Sequence, residues 1–315
     1  MIAPAFAVMV ALMGDTVTSV DVTIPGPVPL PATLTLPTGG GKFAAVVIVH
    51  GSGPGDRHGT LGPNAPYDDL ARGLAERGIA VLSYEKRTRV KPLSFLGRPF
   101  TVRDEVIDDA IAAIGLLRSR PEINGDRVVL LGHSLGGFLA PRIAREDPKL
   151  AGVILWAGAF REQVPELMVR QLDYIASVAG ADSSRVRAQR DQVGIMTRQI
   201  EGLTPADSAS IAVVLGAPPA YWLDLRSYDP VATLRELAVP VLIQQGGMDY
   251  QVTYPMLDGF LAELGPREGL TVHRYDSLNH LFIASEGIPR PAMYSMPGKV
   301  SDEVIAAIAA WVEAL

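Results

Sequence analysis

The 315-residue chain has no cysteine, which excludes disulfides, thiolate metal sites and a sulfur nucleophile but says little about compartment. Positive charge is also scarce: 28 Lys and Arg stand against 34 Asp and Glu, a formal net charge of −6. With no Lys/Arg run long enough to follow a phosphate backbone, nucleic acid is not an expected partner. Nor is there an uninterrupted apolar run of the ~20 residues a spanning helix needs, so no integral membrane segment is expected. Ile2 to Met13 is apolar but shorter than that, and it lacks a basic leader region because no Lys or Arg precedes Lys42. Cytoplasmic localisation is the expectation, with export as the alternative if this segment is the remnant of a signal peptide. What is present is an ordinary globular balance, 48% hydrophobic and 20% charged. The length suits two domains of ~150 residues or one large α/β domain with an insertion.

Hydrophobic periodicity then orders the chain. Val17 to Ile24 alternates apolar and polar residues, a Pro/Gly turn follows, and Leu30 to Leu36 alternates again, the pattern of an antiparallel hairpin. Ala44 to Val49 is instead continuously apolar, as in a strand covered on both faces. Similar runs recur at Ile79 to Ser83, Val128 to Leu131, Val153 to Leu155, Val239 to Ile243 and Leu270 to Tyr275. Helical patterns separate them at Tyr67 to Arg77, Val102 to Ser119, Leu135 to Arg145 and Met256 to Leu264, with a last one over Asp302 to Leu315. Strands alternating with helices predict an α/β fold with a mostly parallel sheet, the hairpin forming its antiparallel edge. Between Phe160 and Asp229 lie roughly 70 residues with helical periodicity and no convincing strand, too long for a structureless loop in a compact domain. The expected organisation is a core of residues 1–159 and 230–315 with a helical cap inserted at 160–229.

One serine sits where strand, turn and helix meet. Gly132-His133-Ser134-Leu135-Gly136-Gly137 follows an apolar strand and opens a helix. In a G-x-S-x-G turn the serine is strained and exposed, and side chains two positions either side would collide with neighbouring elements. Ser134 is thus the candidate nucleophile. A hydroxyl needs a base, and five histidines are available. His50, His133 and His273 lie in or beside strands as packing or loop-shaping residues, and His58 sits in a Gly-rich loop. His280, beyond the last strand in Ser277-Leu278-Asn279-His280-Leu281, occupies a carboxyl-end loop where open α/β sheets bind ligands. The carboxylate to orient it is Asp249, which follows the strand ending near Gln244. Asp276 competes, but it shares the histidine's own loop and reads as a turn residue.

Attack on a carbonyl also needs backbone N–H donors for the developing oxyanion. Leu135, next to the nucleophile, offers one. The other is expected from Ser52 or Gly53 in His50-Gly51-Ser52-Gly53-Pro54-Gly55-Asp56-Arg57. These glycines miss the dinucleotide spacing, Gly41-Lys42-Phe43 lacks the Ser or Thr of a P-loop, and no H-E-x-x-H motif supports zinc. Trp156, Tyr221 and Trp222 are candidate pocket walls, and Met168 to Tyr174 adds apolar surface.

The oxyanion-loop segment, Tyr84 to Arg87 after its strand, the elbow and the loops of Asp249 and His280 together resemble the α/β-hydrolases. More narrowly they resemble bacterial serine esterases whose loop reads H-G-S-G-P-x-D-R and whose later motif reads Y-D-K-R. The likeness covers most of the chain from about Val17; Leu135 stands where that family usually has Glu. The resemblance implies hydrolysis of small carboxylic esters, usually of short acyl chains, without metal or organic cofactor, and a helical cap between the sixth and seventh strands. An acyl-CoA thioesterase using the same triad is the alternative, for which Arg185, Arg187 and Arg190 are candidate contacts. A serine peptidase or a non-catalytic receptor fits less well, and whether the chain forms a homo-oligomer is left open.

Overall fold

The computed structural model describes residues 17–178, 180 and 183–315; the candidate leader Ile2 to Met13 lies outside them. Eight strands form one sheet: β1 (Val17–Ile24), β2 (Leu30–Pro37), β3 (Phe43–Val49), β4 (Ile79–Tyr84), β5 (Ile123–His133), β6 (Gly152–Trp156), β7 (Val241–Gly246) and β8 (Leu270–Tyr275). Their spatial order is β1-β2-β4-β3-β5-β6-β7-β8. β1 and β2 pair antiparallel, as does β2 with β4, and every other pairing is parallel. The hairpin is therefore the antiparallel edge that its alternating sequence predicts.

Parallel pairing forces each chain crossing to pass over a face of the sheet. Helix α1 (Pro66–Ala75) links β3 to β4; the short α2 (Arg87–Val90) and then α3 (Asp108–Ser119) link β4 to β5; α4 (Leu135–Glu146) links β5 to β6. Between β6 and β7 come α5 (Val164–Val178), α6 (Ser183–Glu201), α7 (Pro219–Arg226) and α8 (Pro230–Glu236). The chain closes with α9 (Tyr254–Leu264) between β7 and β8, and α10 (Asp302–Glu313). Helix α8 packs on α4 and α9, whereas α5 and α6 pack on one another.

Both faces of the sheet's centre are buried, which is why β3, β4 and β6 read as nearly unbroken apolar runs; β8, expected as a similar run, is an edge strand and mostly half-buried. Along β3, Ala45, Val47 and Val49 enter the core shared with α3, α4 and α9. Val46 and Ile48 enter the opposite core, with Leu70 and Leu74 of α1 and Val304 and Ile308 of α10. The same period-two split divides Leu130 from Leu131, and Ile243 from Leu242.

Several boundaries differ from the sequence reading, three of them for reasons visible in the structure. β5 begins at Ile123, which pairs with Phe43 ahead of an irregularity in register; the intervening Asn124-Gly125-Asp126 carries no apolar signal. β7 begins at Val241, after Pro240, which has no N–H to give the ladder, and the Val239 carbonyl is taken by Arg267. The helix expected from Val102 opens with a single π turn, Arg103–Ile107, before α3.

Candidate active site

The carboxyl ends of β3, β5, β7 and β8 lie along one rim of the sheet, so His50-Gly51-Ser52-Gly53, Ser134, Asp249 and His280 arrive there from four different strands. A cavity of about 860 Å³ opens at this rim, and Ser52, Gly53, Ser134, Leu135, Tyr221, Trp222 and His280 all line it.

Ser134 has φ 54° and ψ −119°, a left-handed conformation that costs a non-glycine residue about 1–3 kcal/mol and persists only when its surroundings impose it. Here they do. The Ser134 N–H donates to the Trp156 carbonyl at 2.9 Å, and its own carbonyl accepts from Phe138 N–H at 3.0 Å. A Cβ on Gly132 would overlap the Gly136 carbonyl, one on Gly136 would overlap that of Val49, and one on Gly137 would lie 2.8 Å from Gly158 Cα. The glycines thus let the α4 N-terminus dock backbone to backbone on β3 and on the turn after β6. The serine hydroxyl is left half-exposed in the cavity, with no hydrogen bond to another described residue.

His280 Nδ1 lies 2.6 Å from Asp249 Oδ2, both side chains being buried. Since a carboxylate only accepts, Nδ1 carries the proton and Nε2 is the basic nitrogen. Asp249 is fully engaged: Oδ2 also accepts from Gln245 Nε2 at 2.9 Å, and Oδ1 accepts from the backbone N–H of Gln251 and Val252 at 2.7 and 3.0 Å. The acid turn and base loop are knit together by Met248 N–H donating to the Leu278 carbonyl at 2.9 Å. A Cβ on Gly247 would stand 2.7 Å from the Asp276 carbonyl, so the Gly246-Gly247 pair permits this approach.

The remaining histidines separate by environment. His133 is buried, its Nε2 lying 3.1 Å from the His280 carbonyl and its Nδ1 3.0 Å from the Tyr67 hydroxyl. A carbonyl only accepts, so Nε2–H donates to it and Nδ1 accepts from Tyr67. Burial, with the His280 imidazole second, holds the His133 pKa well below the usual range and keeps the ring neutral. Burial likewise raises that of the Tyr67 phenol, a backbone hydrogen bond from Gly51 opposing it. Burial, then the Lys86 charge, lowers the His50 pKa to about 4, and its Nε2–H donates to the Tyr84 carbonyl. His58 is exposed and pairs with Asp68 at 2.8 Å. His273 is half-buried on β8. Asp276 is exposed and accepts from the Tyr254 hydroxyl at 3.0 Å.

Trp156 requires a correction as a pocket wall. It is fully buried in the core on the α1 and α10 side of the sheet, stacked on Phe282 with ring centroids 4.6 Å apart, and does not line the cavity. A strand-end tryptophan faces one side or the other according to strand parity, and Trp156 shares the side of Ile154. Arg185 and Arg187 are exposed on α6, Arg190 pairs with Asp173 at 2.8 Å, and none of the three lines the cavity. Reasoning from sequence missed Tyr67, Lys86 and Glu105. Lys86 was legible only as part of the Tyr84 to Arg87 motif, and Glu105 carried no signal at all. Among the described residues, no group of three or more His, Asp or Glu is arranged to hold a metal ion, and no helix is long and apolar enough to cross a membrane.

A parallel-sheet core with an antiparallel edge, a serine on a strained strand-to-helix elbow and an Asp–His pair on the following strand loops define an α/β-hydrolase. The chain belongs to the family described as serine aminopeptidase, S33, whose profile matches residues 42–286. It is 40% identical over 291 residues to Esterase EstD of Thermotoga maritima, spanning 92% of this chain and 66% of that protein's length. Among solved structures, Est1E from Butyrivibrio proteoclasticus superposes with a TM-score of 0.58 at 15% identity, covering 94% of this chain and 99% of that one. An esterase of the archaeon Pyrobaculum calidifontis also gives 0.58, at 18% identity, covering 94% and 85%. At such identities these two likenesses concern the fold.

Proposed function

We propose that this protein is a carboxylesterase in which Ser134, His280 and Asp249 form the catalytic triad. The observation that carries the reading is the buried Asp249–His280 pair at 2.6 Å, joined with the strained Ser134 on a shared cavity. His280 Nε2 takes the Ser134 proton as Oγ attacks the ester carbonyl, and Asp249 stabilises the imidazolium. The oxyanion is received by the N–H groups of Leu135 and Ser52, neither of which has an acceptor among the described residues. The alcohol leaves with the proton from His280. Water, deprotonated by the same nitrogen, then attacks the acyl-enzyme and releases the acid. The 40% identity to an esterase supports the ester as substrate.

The substrate is an uncharged ester with a short acyl chain. Leu167, Tyr221 and Trp222 line the cavity, and Leu93, Leu96 and Val213, exposed by 74%, 75% and 65%, make its lining apolar out to solvent. A volume of about 860 Å³ is that of a site for a small molecule, shared here by acyl and alcohol groups. Residues 160–229 serve as the cap over a core of 1–159 and 230–315. Incubation with a fluorophosphonate, followed by peptide mass analysis, is expected to place one adduct on Ser134. p-Nitrophenyl butyrate is expected to be cleaved faster than butyryl-CoA. Absence of labelling overturns the nucleophile, preference for the thioester overturns the substrate class, and a kcat/KM still rising beyond ~12 acyl carbons overturns the chain length.

A further inference from the structure

The oxyanion loop is held from beneath by a buried ion pair. Lys86 Nζ donates to the Gly51 carbonyl at 3.1 Å and pairs with Glu105 Oε1 at 2.9 Å, the two side chains being only 3% and 8% exposed. Glu105 reaches that position from the single π turn Arg103–Ile107, a helix irregularity of the kind that re-aims side chains at functional sites. It lines the cavity, and after burial its nearby carboxylate is what raises the pKa of the Tyr221 phenol on α7. Backbone contacts anchor the same loop further along, with Lys86 N–H donating to the Gly55 carbonyl at 3.0 Å.

The Gly51 carbonyl and the Ser52 N–H belong to one peptide unit. No cis peptide bond occurs among the described residues, and a planar trans peptide directs its C=O and N–H in opposite senses. Fixing the oxygen on Lys86 therefore turns the Ser52 N–H away from the ammonium. The unit also lies against the nucleophile: a Cβ on Gly51 would be 3.1 Å from Ser134 Cβ and 3.6 Å from its Oγ. Among the described residues, Ser52 N–H has no protein acceptor. A cation on the carbonyl draws electron density from the amide and strengthens the N–H as a donor.

We propose that Lys86, neutralised by Glu105, is a positioning residue that aims and polarises the Ser52 N–H toward the oxyanion. The inference rests on the esterase reading and adds to it a group that touches neither substrate nor triad. Glu105 makes the buried ammonium tolerable, since removing one member of such a pair strands the other and costs about 3–5 kcal/mol.

The test removes the pair together. The double variant Lys86→Met/Glu105→Leu, checked for a native near-ultraviolet dichroism spectrum, is assayed on p-nitrophenyl butyrate and titrated with a trifluoromethyl ketone that adds to Ser134 as an oxyanion. We expect kcat to fall by ~10²-fold, KM to stay within about threefold, and the inhibition constant of the ketone to rise in step with the loss of kcat. Lys86→Arg, which keeps a cation on the Gly51 carbonyl, is expected to recover part of the rate. If the double variant does not fold, the near-isosteric pair Lys86→Gln/Glu105→Gln, which leaves no buried charge unpaired and keeps a neutral donor for the Gly51 carbonyl, replaces it with an expected ~10-fold loss in kcat. A folded variant with wild-type kcat, or one whose loss lies in KM with ketone binding unchanged, overturns the proposal. A wild-type protein that cleaves no ester overturns instead the function on which it rests.

Discussion

His133 gives its Nε2–H to the backbone carbonyl of His280 across 3.1 Å. The residue preceding the candidate nucleophile thereby holds the loop that carries the candidate base, and Tyr67 on α1 fixes the other side of the same imidazole. A histidine in the elbow motif thus braces the base loop and needs no proton-transfer role of its own.

His133→Leu is expected to leave the His280 carbonyl without its donor at a buried position, a penalty of about 1–3 kcal/mol. The loop should loosen: kcat falls about tenfold, KM changes little, and the melting temperature drops by a few degrees. Steady-state kinetics and thermal denaturation on the same preparation check this. Unchanged kcat alongside a lowered melting temperature would make the contact purely a matter of stability.

Acid should destabilise the fold over a defined window. An unfolded His50 takes up a proton as pH falls through 6.5, whereas the folded one resists until about 4. Between those values the unfolded state binds more protons, so stability present above pH 6.5 is progressively lost as pH falls, amounting to about 3 kcal/mol at the full shift. His133 acts in the same direction. Melting temperatures measured from pH 7.5 to 4.5 should decline, and His50→Gln should flatten the slope while lowering the value at pH 7. A slope unaltered by the substitution would contradict the assignment.

Two glycine substitutions should move stability in opposite directions. Gly136→Ala drives a methyl group into the Val49 carbonyl, a backbone neighbour that cannot rotate away, and should prevent accumulation of folded protein. Gly115 is exposed within α3, and an added methyl there would meet no described neighbour within 4 Å, so Gly115→Ala should stabilise by about 0.5–1 kcal/mol. Chemical denaturation separates the two.

The elements that could be read from sequence are those whose physics is local. Strand β3 announces itself because burial on both faces leaves no polar position, and the elbow does so because only glycine fits two positions either side of Ser134. Lys86 and Glu105 were not legible in the same way. Their pairing joins the end of β4 to a π turn well along the chain, and no periodicity records it. The side of the sheet on which Trp156 falls depends on where β6 begins, which an apolar run does not mark. The bond from Lys86 to the Gly51 carbonyl, which favours Ser52 over Gly53 as the candidate donor, is likewise invisible to any local pattern.

The most direct measurement of the central claim is hydrolysis of p-nitrophenyl butyrate by Ser134→Ala. With the fold retained, kcat should fall ~10⁴-fold or more, leaving only what the oxyanion donors and binding supply. Turnover near that of the wild-type protein would contradict the assignment of Ser134 as the attacking group.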